Sequence, residues 1–151
     1  ALGAEDRGQR TEDGRQRGEA VMGERIESFR DLRVYQHAFD LQQTIFQITK
    51  KFPKEELFSL TNQMRRSSRS VGANIAEAWQ KRRYAAHFIS KLSDSDGEQA
   101  ETQHWIETAS ACEYIASETG RKLIQECKEV GKMLGKMMQE PEKWCGRFSD
   151  K

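Results

Sequence analysis

The sequence predicts an all-α fold, an antiparallel up-down-up-down four-helix bundle preceded by a disordered N-terminal tail. Apolar residues recur at helical spacing through most of the chain after residue 25. Only two prolines occur, and charged residues make up 32% of the sequence, a profile that favours helices over sheet. A chain of 151 residues is long enough to bury one core. We therefore divide it into a tail at 1–25, a bundle at 26–145 and a C-terminal tail at 146–151.

The first 25 residues differ in composition from the rest of the chain. They contain five glycines, five arginines and six acids, and large apolar side chains are almost absent. Such a segment buries too little apolar surface to offset the entropy lost on ordering, so we expect disorder. Its balanced charge argues against a basic nucleic-acid-binding arm. Met22 is a candidate native start, with residues 1–21 as leader or read-through sequence, a hypothesis that N-terminal sequencing of the natural product tests.

Four helices follow. The first runs over about 32–50, and Pro53 marks the connection after it. The second begins at Leu60 and ends near 81–83, with apolar and small residues at a 4-3-4-3-4 spacing. The third spans about 84–116 and the fourth about 121–139. Short connections between consecutive helices favour antiparallel neighbours.

Polar side chains occupy positions that should face the core. The third helix places Ser95, Gln99 and Thr102 there, and the second helix places Asn74 there. Unpaired buried polar groups cost about 1–3 kcal/mol each, so we expect these side chains to hydrogen-bond one another as a polar core layer. Such a layer can fix helix register. A ligand or metal pocket in the bundle centre is the functional alternative.

Charge is strongly segregated along the chain. Residues 50–91 contain ten basic and three acidic side chains, whereas residues 92–118 contain seven acids and no Lys or Arg. One interpretation is a basic surface that binds nucleic-acid phosphates. The other is that the basic helix pairs with the acidic one, within a subunit or across a subunit interface. The candidate phosphate anchors are Arg65, Arg66, Arg69, Lys81, Arg82 and Arg83.

Residues 52–79 also carry a family resemblance. They read FPKEE, then a Leu, then QMRRSSRSVGANIAEA, with further likeness upstream in LRVYQHA and downstream in HFISKLSDSDGEQAETQHW and EYI. This pattern resembles the small four-helix-bundle proteins encoded by intervening sequences of bacterial 23S rRNA genes. The accessory variability proteins of diversity-generating retroelements are similar. The likeness covers roughly residues 29–138, and Ala78 departs from it where many relatives have Gly.

The resemblance implies a homo-oligomeric ring, with a pentamer favoured, whose outer or axial surface presents basic residues. It also implies an accessory role beside another nucleic-acid machine, such as a reverse transcriptase. The aromatic content agrees with an oligomer, because three Trp and three Tyr are more bulk than a slim bundle readily hides.

Signatures of catalysis are missing from the sequence. It has no G-x-S-x-G, no Walker loop and no G-x-G-x-x-G. Glu101 and His104 fit the Glu-x-x-His pattern of di-iron bundles, but no second copy exists, so we predict no metal and no cofactor. The three cysteines lack CxxC spacing, which favours reduced thiols and a cytoplasmic location. No apolar run of about 18 residues predicts a membrane span.

We therefore predict a non-enzymatic, cytoplasmic, homo-oligomeric bundle that binds structured RNA or DNA through the basic surface of its second helix. Docking on phosphates with little base reading is the expected mechanism, because the anchors are arginines and lysines without a recognition motif. The resemblance further implies that the protein acts as an accessory to a reverse transcriptase. The alternative is a protein-only scaffold or adaptor whose segregated charges serve contacts between subunits or with a partner protein.

Overall fold

The computed structural model describes residues 26–146, which form helices and turns without a strand. The predicted tail at 1–25, and the predicted C-terminal tail beyond Gly146, lie outside the described residues. No helix in the described range combines the length and the low charge needed to cross a membrane. The helices are α1 (Arg33–Thr49), α2 (Leu60–Gln80), α3 (Ala85–Ala111), α4 (Ser117–Gln139) and the short α5 (Glu142–Cys145).

The four long helices form the antiparallel up-down-up-down bundle that the sequence predicts, so the predicted fold class is confirmed. Each helix packs on the next one along the chain, and α4 also packs on α1. Contacts between α1 and α2 show the antiparallel direction. Arg65, near the start of α2, meets Thr49 at the end of α1. Gly72, further along α2, lies against Tyr35 and Gln42 of α1.

The helix α1 is entered through a capped 3₁₀ turn, Phe29–Asp31. The hydroxyl of Ser28 accepts a hydrogen bond from the N–H of Arg30 at 3.0 Å, and the carboxylate of Asp31 accepts one from the N–H of Ser28 at 3.1 Å. This reciprocal capping satisfies N–H groups that a helix start leaves without partners. It also fixes the position of the Phe29 ring beside α1.

The apolar core has two parts. One includes Val71 and Phe88 and lies toward the end of the bundle formed by the α2–α3 connection. The other includes Ile45, Met64 and Ile106 and lies toward the opposite end. Apart from Thr61, which lies next to Leu60, the buried polar residues of α2 and α3 fall between the two parts: Ser67, Ser68, Ser95, Gln99 and Thr102.

The end of the third helix differs from the prediction. We expected the helix to continue to residue 116, but α3 ends at Ala111. Glu113 has a φ of 63°. The N–H of Tyr114 donates to the carbonyl of Ala109 at 2.9 Å, and that of Glu113 donates to the carbonyl of Ser110 at 3.0 Å. These bonds form a Schellman motif, in which Gly usually occupies the left-handed position. Because Glu stands there instead, the sequence carries no visible stop signal.

The fourth helix also departs from the prediction, since it begins about one turn before the expected start at residue 121. Gly120, which precedes that expected start, lies inside α4 and is buried against Ser110 of α3. A glycine inside a helix therefore serves close packing here rather than a turn.

Candidate nucleic-acid interface

Three cations surround one aromatic ring where α1 and α2 meet. The ring belongs to Phe46 of α1. Its centroid lies 4.7 Å from Nζ of Lys50, 4.9 Å from Cζ of Arg65 and 5.5 Å from Cζ of Arg69. Nε of Arg65 also donates a hydrogen bond to Oγ1 of Thr49 at 2.9 Å. We call Phe46, Lys50, Arg65 and Arg69 the Phe46 cluster.

Helix geometry explains why these residues meet. Arg65 and Arg69 are four residues apart on α2, and Phe46 and Lys50 are four residues apart in sequence at the end of α1. Side chains at this spacing lie on the same face of a helix, one turn apart. Since α1 and α2 run antiparallel, the two pairs come together at one end of their seam. Lys50 and Arg69 are exposed, whereas Arg65 is half-buried.

Among the described residues, no acidic side chain pairs with the cations of the Phe46 cluster. Within residues 26–146, no carboxylate oxygen comes within 4.0 Å of Lys50, Arg65 or Arg69, and the described ion pairs all lie elsewhere. An exposed cation–π contact contributes only about 0.5–1 kcal/mol, so the ring offsets little of the repulsion between three like charges. An anion placed among them would be attracted by all three. The cluster is therefore suited to bind an anion.

Arg66 is not part of this cluster. Its side chain extends toward α3, where Nη1 lies 4.0 Å from Oε2 of Glu101. The two side chains are 62% and 40% exposed, so the pair contributes little stability, within about 0–1 kcal/mol. A second contact between the same helices joins Nζ of Lys91 to Oε2 of Glu77 at 3.1 Å. This hydrogen bond is the main cause that raises the pKa of Lys91. On this seam, basic side chains therefore lie beside acidic ones of the same subunit, as the second interpretation of the charge segregation expects.

The three other candidate anchors lie at the far end of α2. Cζ of Arg82 lies 3.9 Å from the ring centroid of Trp79, and Nη1 of Arg82 donates to the Trp79 carbonyl at 2.8 Å. Cζ of Arg83 lies 5.9 Å from the ring of Tyr84, and Lys81 is exposed. The corner at 81–83 begins twelve residues after residue 69, about 18 Å further along the helix axis. Apart from Arg66, the predicted anchors thus fall into two separate basic sites.

The predicted polar residues of α3 are buried, but their hydrogen bonds differ from those expected. Oγ of Ser95 donates to the carbonyl of Val71 at 2.8 Å. Oγ1 of Thr102 lies 2.9 Å from Oγ of Ser67. Gln99 bonds within its own helix: Nε2 donates to Oδ1 of Asp96 at 2.9 Å, and Oε1 accepts from Nε2 of Gln103 at 2.7 Å. No hydrogen bond joins Ser95, Gln99 and Thr102 to one another. Each side chain has a hydrogen-bond partner on its own helix or on α2.

Asn74 does not belong to the buried layer. It is half-buried, and its Nδ2 donates to the carbonyl of Ser70 at 2.9 Å on its own helix. Short polar side chains commonly bond to the backbone one turn earlier. Ser67 takes the central place instead, and it lies on the same predicted face of α2. The 4-3 spacing places both residues on that face and does not show which one reaches the centre.

One face of α3 carries buried polar atoms without hydrogen-bond partners among the described residues. They are Oε2 of Glu98, Oε2 of Glu101 and Nε1 of Trp105. Burial is the main cause that raises the pKa of the Glu98 carboxyl, and the charge of Glu101 adds to it. Spacings of three and four residues place the three side chains on one side of the helix. In residues 26–146, no three His, Cys, Asp or Glu side chains are grouped so that they could hold a metal ion.

Comparisons with known proteins place these sites in a family context. The family model described as "23S rRNA-intervening sequence protein" matches residues 30–136, a range that includes the Phe46 cluster and the corner at 81–83. Among solved structures, the chain is similar to a protein of unknown function from the S23 ribosomal protein family of Bacteroides thetaiotaomicron VPI-5482. The identity is 30% and the TM-score 0.64, covering 70% of this chain and 95% of that one. No curated protein matches.

Proposed function

The chain belongs to the family of 23S rRNA-intervening sequence proteins, and we propose that it is a non-enzymatic bundle that binds structured RNA or DNA through the Phe46 cluster. The observation that supports this function is the group of three cations on one ring with no carboxylate within 4.0 Å among residues 26–146. A polyanion would relieve their mutual repulsion. Phosphate oxygens suit this site because arginine and lysine donors bind them without reading bases.

Arg65 is the best-positioned anchor of the cluster. Its Nε donates to Thr49, and its guanidinium lies over Phe46, so two contacts restrict the side chain before any ligand arrives. A restricted side chain loses less entropy on binding than a free one. Lys50 and Arg69 are more exposed and can adjust to the phosphate position. We therefore assign Arg65 as the fixed anchor and the other two as adaptable ones.

The corner at 81–83 offers a second contact point for the same nucleic acid. Its separation of about 18 Å from Arg69 corresponds to roughly five base pairs of duplex, at about 3.4 Å per base pair. A short helical segment of RNA or DNA could therefore reach both basic sites along α2. Arg66 makes no direct contribution in this proposal, because Glu101 lies beside it.

Oligomerisation belongs to the same proposal. The family resemblance implies a homo-oligomeric ring, with a pentamer favoured, and several copies of the Phe46 cluster would bind one nucleic acid by avidity. Leu57, which is 45% exposed, supplies apolar surface that a neighbouring subunit could cover. An accessory role beside a reverse transcriptase, in the cytoplasm, is the extension of this proposal.

A protein-only scaffold is the second candidate function. It is favoured by the α2–α3 seam, where Arg66 is beside Glu101, and where Glu98 and Trp105 have buried polar atoms without hydrogen-bond partners in the described chain. A partner protein or a second subunit with complementary charges would pair with the exposed side chains of Arg66 and Glu101. In that case the segregated charges would serve assembly rather than nucleic acid.

A salt series separates the two candidates. We expect the full chain to bind a structured RNA and a duplex DNA, with affinity falling steeply as salt rises. Neutralising three phosphates gives a slope of about −3 in log K against log salt for a duplex. The solution mass should stay constant over the same range, since an apolar-cored assembly is insensitive to salt. A stable oligomer that binds neither ligand at low salt would contradict the nucleic-acid function and favour the scaffold.

A further inference from the structure

Three aromatic rings stack in a row beside the α1–α2 seam. The ring centroids of Phe29 and Tyr35 are 4.9 Å apart with an interplanar angle of 24°. Those of Tyr35 and Phe39 are 6.2 Å apart with an angle of 12°. Phe39 is the last ring of the row, is 39% exposed, and has no further ring stacked on it within the described residues. We call Phe29, Tyr35 and Phe39 the aromatic ladder.

The open end of the ladder is the end closest to the Phe46 cluster. Phe39 and Phe46 are seven residues apart, two turns along α1, so they lie on the same side of the helix about 10 Å apart along its axis. Both lie at the α1–α2 seam, where Gln42, between them in sequence, approaches Gly72 of α2. A partly exposed aromatic ring and three cations without carboxylate partners among the described residues therefore follow one another along one line of the surface.

An aromatic ring followed by a group of cations along the surface matches the chemistry of a run of unpaired nucleotides. Every base has a π-face that can stack on an aromatic ring, and every nucleotide carries a phosphate. A distance of about 10 Å corresponds to roughly three stacked nucleotides, at about 3.4 Å each along one strand. Bases inside a duplex are already stacked on both faces, so they cannot use the ring. A protein segment with an apolar group for Phe39 would still have to supply several carboxylates for the cations.

We propose that Phe39 is a stacking platform for an unpaired base of the RNA or DNA whose phosphates dock on the Phe46 cluster. The site thereby selects loops, ends or single strands within a structured nucleic acid. This inference rests on the proposed function and adds the class of nucleic-acid segment that the site recognises. The ladder supports this role because Tyr35 stacks against Phe39, and Phe29 stacks against Tyr35, so the position of the Phe39 ring is restricted.

Substitution at Phe39 tests the platform in the full chain. The probes are oligouridine, which forms no duplex with itself, and an RNA duplex of equal length, both at one low salt concentration. Phe39→Leu keeps an apolar side chain but removes the ring, so we expect oligouridine binding to weaken by about tenfold, within the range found for lost base–aromatic stacking. Duplex binding should not change. Phe39→Trp keeps a π-face and should retain oligouridine affinity.

Phe58→Leu is the matched control, because Phe58 is an exposed phenylalanine outside the ladder. It should leave oligouridine affinity unchanged. The inference is overturned if Phe39→Leu weakens both probes equally, or weakens neither while the unmodified chain binds both. It is also overturned if Phe39→Leu changes the solution mass, since the ladder would then be a subunit contact. If the unmodified chain binds neither probe, the proposed function itself fails, and the two failures are thus distinguishable.

Discussion

At the scale of single residues, Phe46 supplies the ring around which three cations of the α1–α2 seam lie. Its ring centroid lies between 4.7 and 5.5 Å from Nζ of Lys50, at the end of the same helix, and from Cζ of two arginines of α2. Arg66 follows Arg65 in sequence but is turned by about 100° around the helix axis, which directs it to α3 instead. Neighbouring arginines of one short run therefore have different partners and should differ in function.

Arg69 and Arg66 provide a paired test of this difference. Arg69→Gln should weaken RNA binding by about fivefold, equivalent to about 1 kcal/mol, because it removes one charged donor from the site. Arg66→Gln removes the same charge from a side chain that lies beside a carboxylate, so its effect on affinity should be clearly smaller. Equilibrium binding at one salt concentration measures both. Equal losses would show that net charge, rather than the Phe46 cluster, determines the affinity.

The sequence identifies the charged anchors better than it identifies their partners. Arg65 and Arg69 appear in the predicted site, whereas Phe46 and Lys50 do not, because their role depends on a contact between two helices. The spacing of four residues within each pair is the only signal that sequence offers, and many solvent-exposed pairs share it. Ser67 and Asn74 show the same limit of sequence reasoning. The helical spacing places both residues on the buried face of α2, although only Ser67 is fully buried.

At the scale of elements, the α3–α4 connection shows how local backbone geometry sets the helix ends. The left-handed Glu113 and the two bonds of its Schellman motif stop α3 at Ala111. Oη of Tyr114 then donates to Oε2 of Glu56 at 2.9 Å, which ties this turn to the 3₁₀ turn between α1 and α2. The bond to the carboxylate is the main cause that raises the pKa of Tyr114 to about 12. This hydrogen bond between a half-buried tyrosine and a carboxylate thereby joins two connections at one end of the bundle.

Replacing Glu113 by glycine should stabilise the protein. Glycine adopts a φ near 63° without the steric cost that other residues meet there. We expect Glu113→Gly to raise the free energy of unfolding by about 0.5–1 kcal/mol, measured by denaturant titration.

Glu107→Gly is the control for this prediction. Glu107 is an exposed residue within α3, so the same substitution there should lower the free energy of unfolding by about 1 kcal/mol. Destabilisation by both variants would mean that the left-handed turn does not hold in solution.

The sequence predicts the number and order of the four long helices correctly, but it predicts their ends less well and does not predict the short α5. The apolar period extends over many residues and determines which face is buried, so it predicts the bundle well. An end depends on one or two backbone torsions, and here Glu113 adopts a torsion that glycine usually takes. Gly120 gives the opposite misleading signal, because it lies inside α4 for close packing against Ser110.

At the scale of the whole molecule, the segregated charges are used in two ways. On the α2–α3 seam, part of the basic helix faces the acidic one, as with Arg66 and Glu101. On the α1–α2 seam, no acid of residues 26–146 faces the cations, and their charge remains available. The sequence shows the segregation but not its direction around the bundle, which depends on how the helices are rotated. The central claim is that the available charge, located in the Phe46 cluster, binds nucleic acid.

Two charge-matched double variants test that claim most directly. Lys50→Gln with Arg69→Gln removes two exposed cations from the Phe46 cluster. Lys128→Gln with Lys132→Gln removes two exposed cations, also one turn apart, from α4, which packs on α1 and α3. The measurement is affinity for one structured RNA across a salt series, with the solution mass recorded for each variant. We expect the cluster variant to lose affinity at least tenfold and to show a slope shallower by about 2, and the α4 variant to behave like the unmodified chain. Equal losses in both variants, or no loss in the cluster variant, would contradict the account.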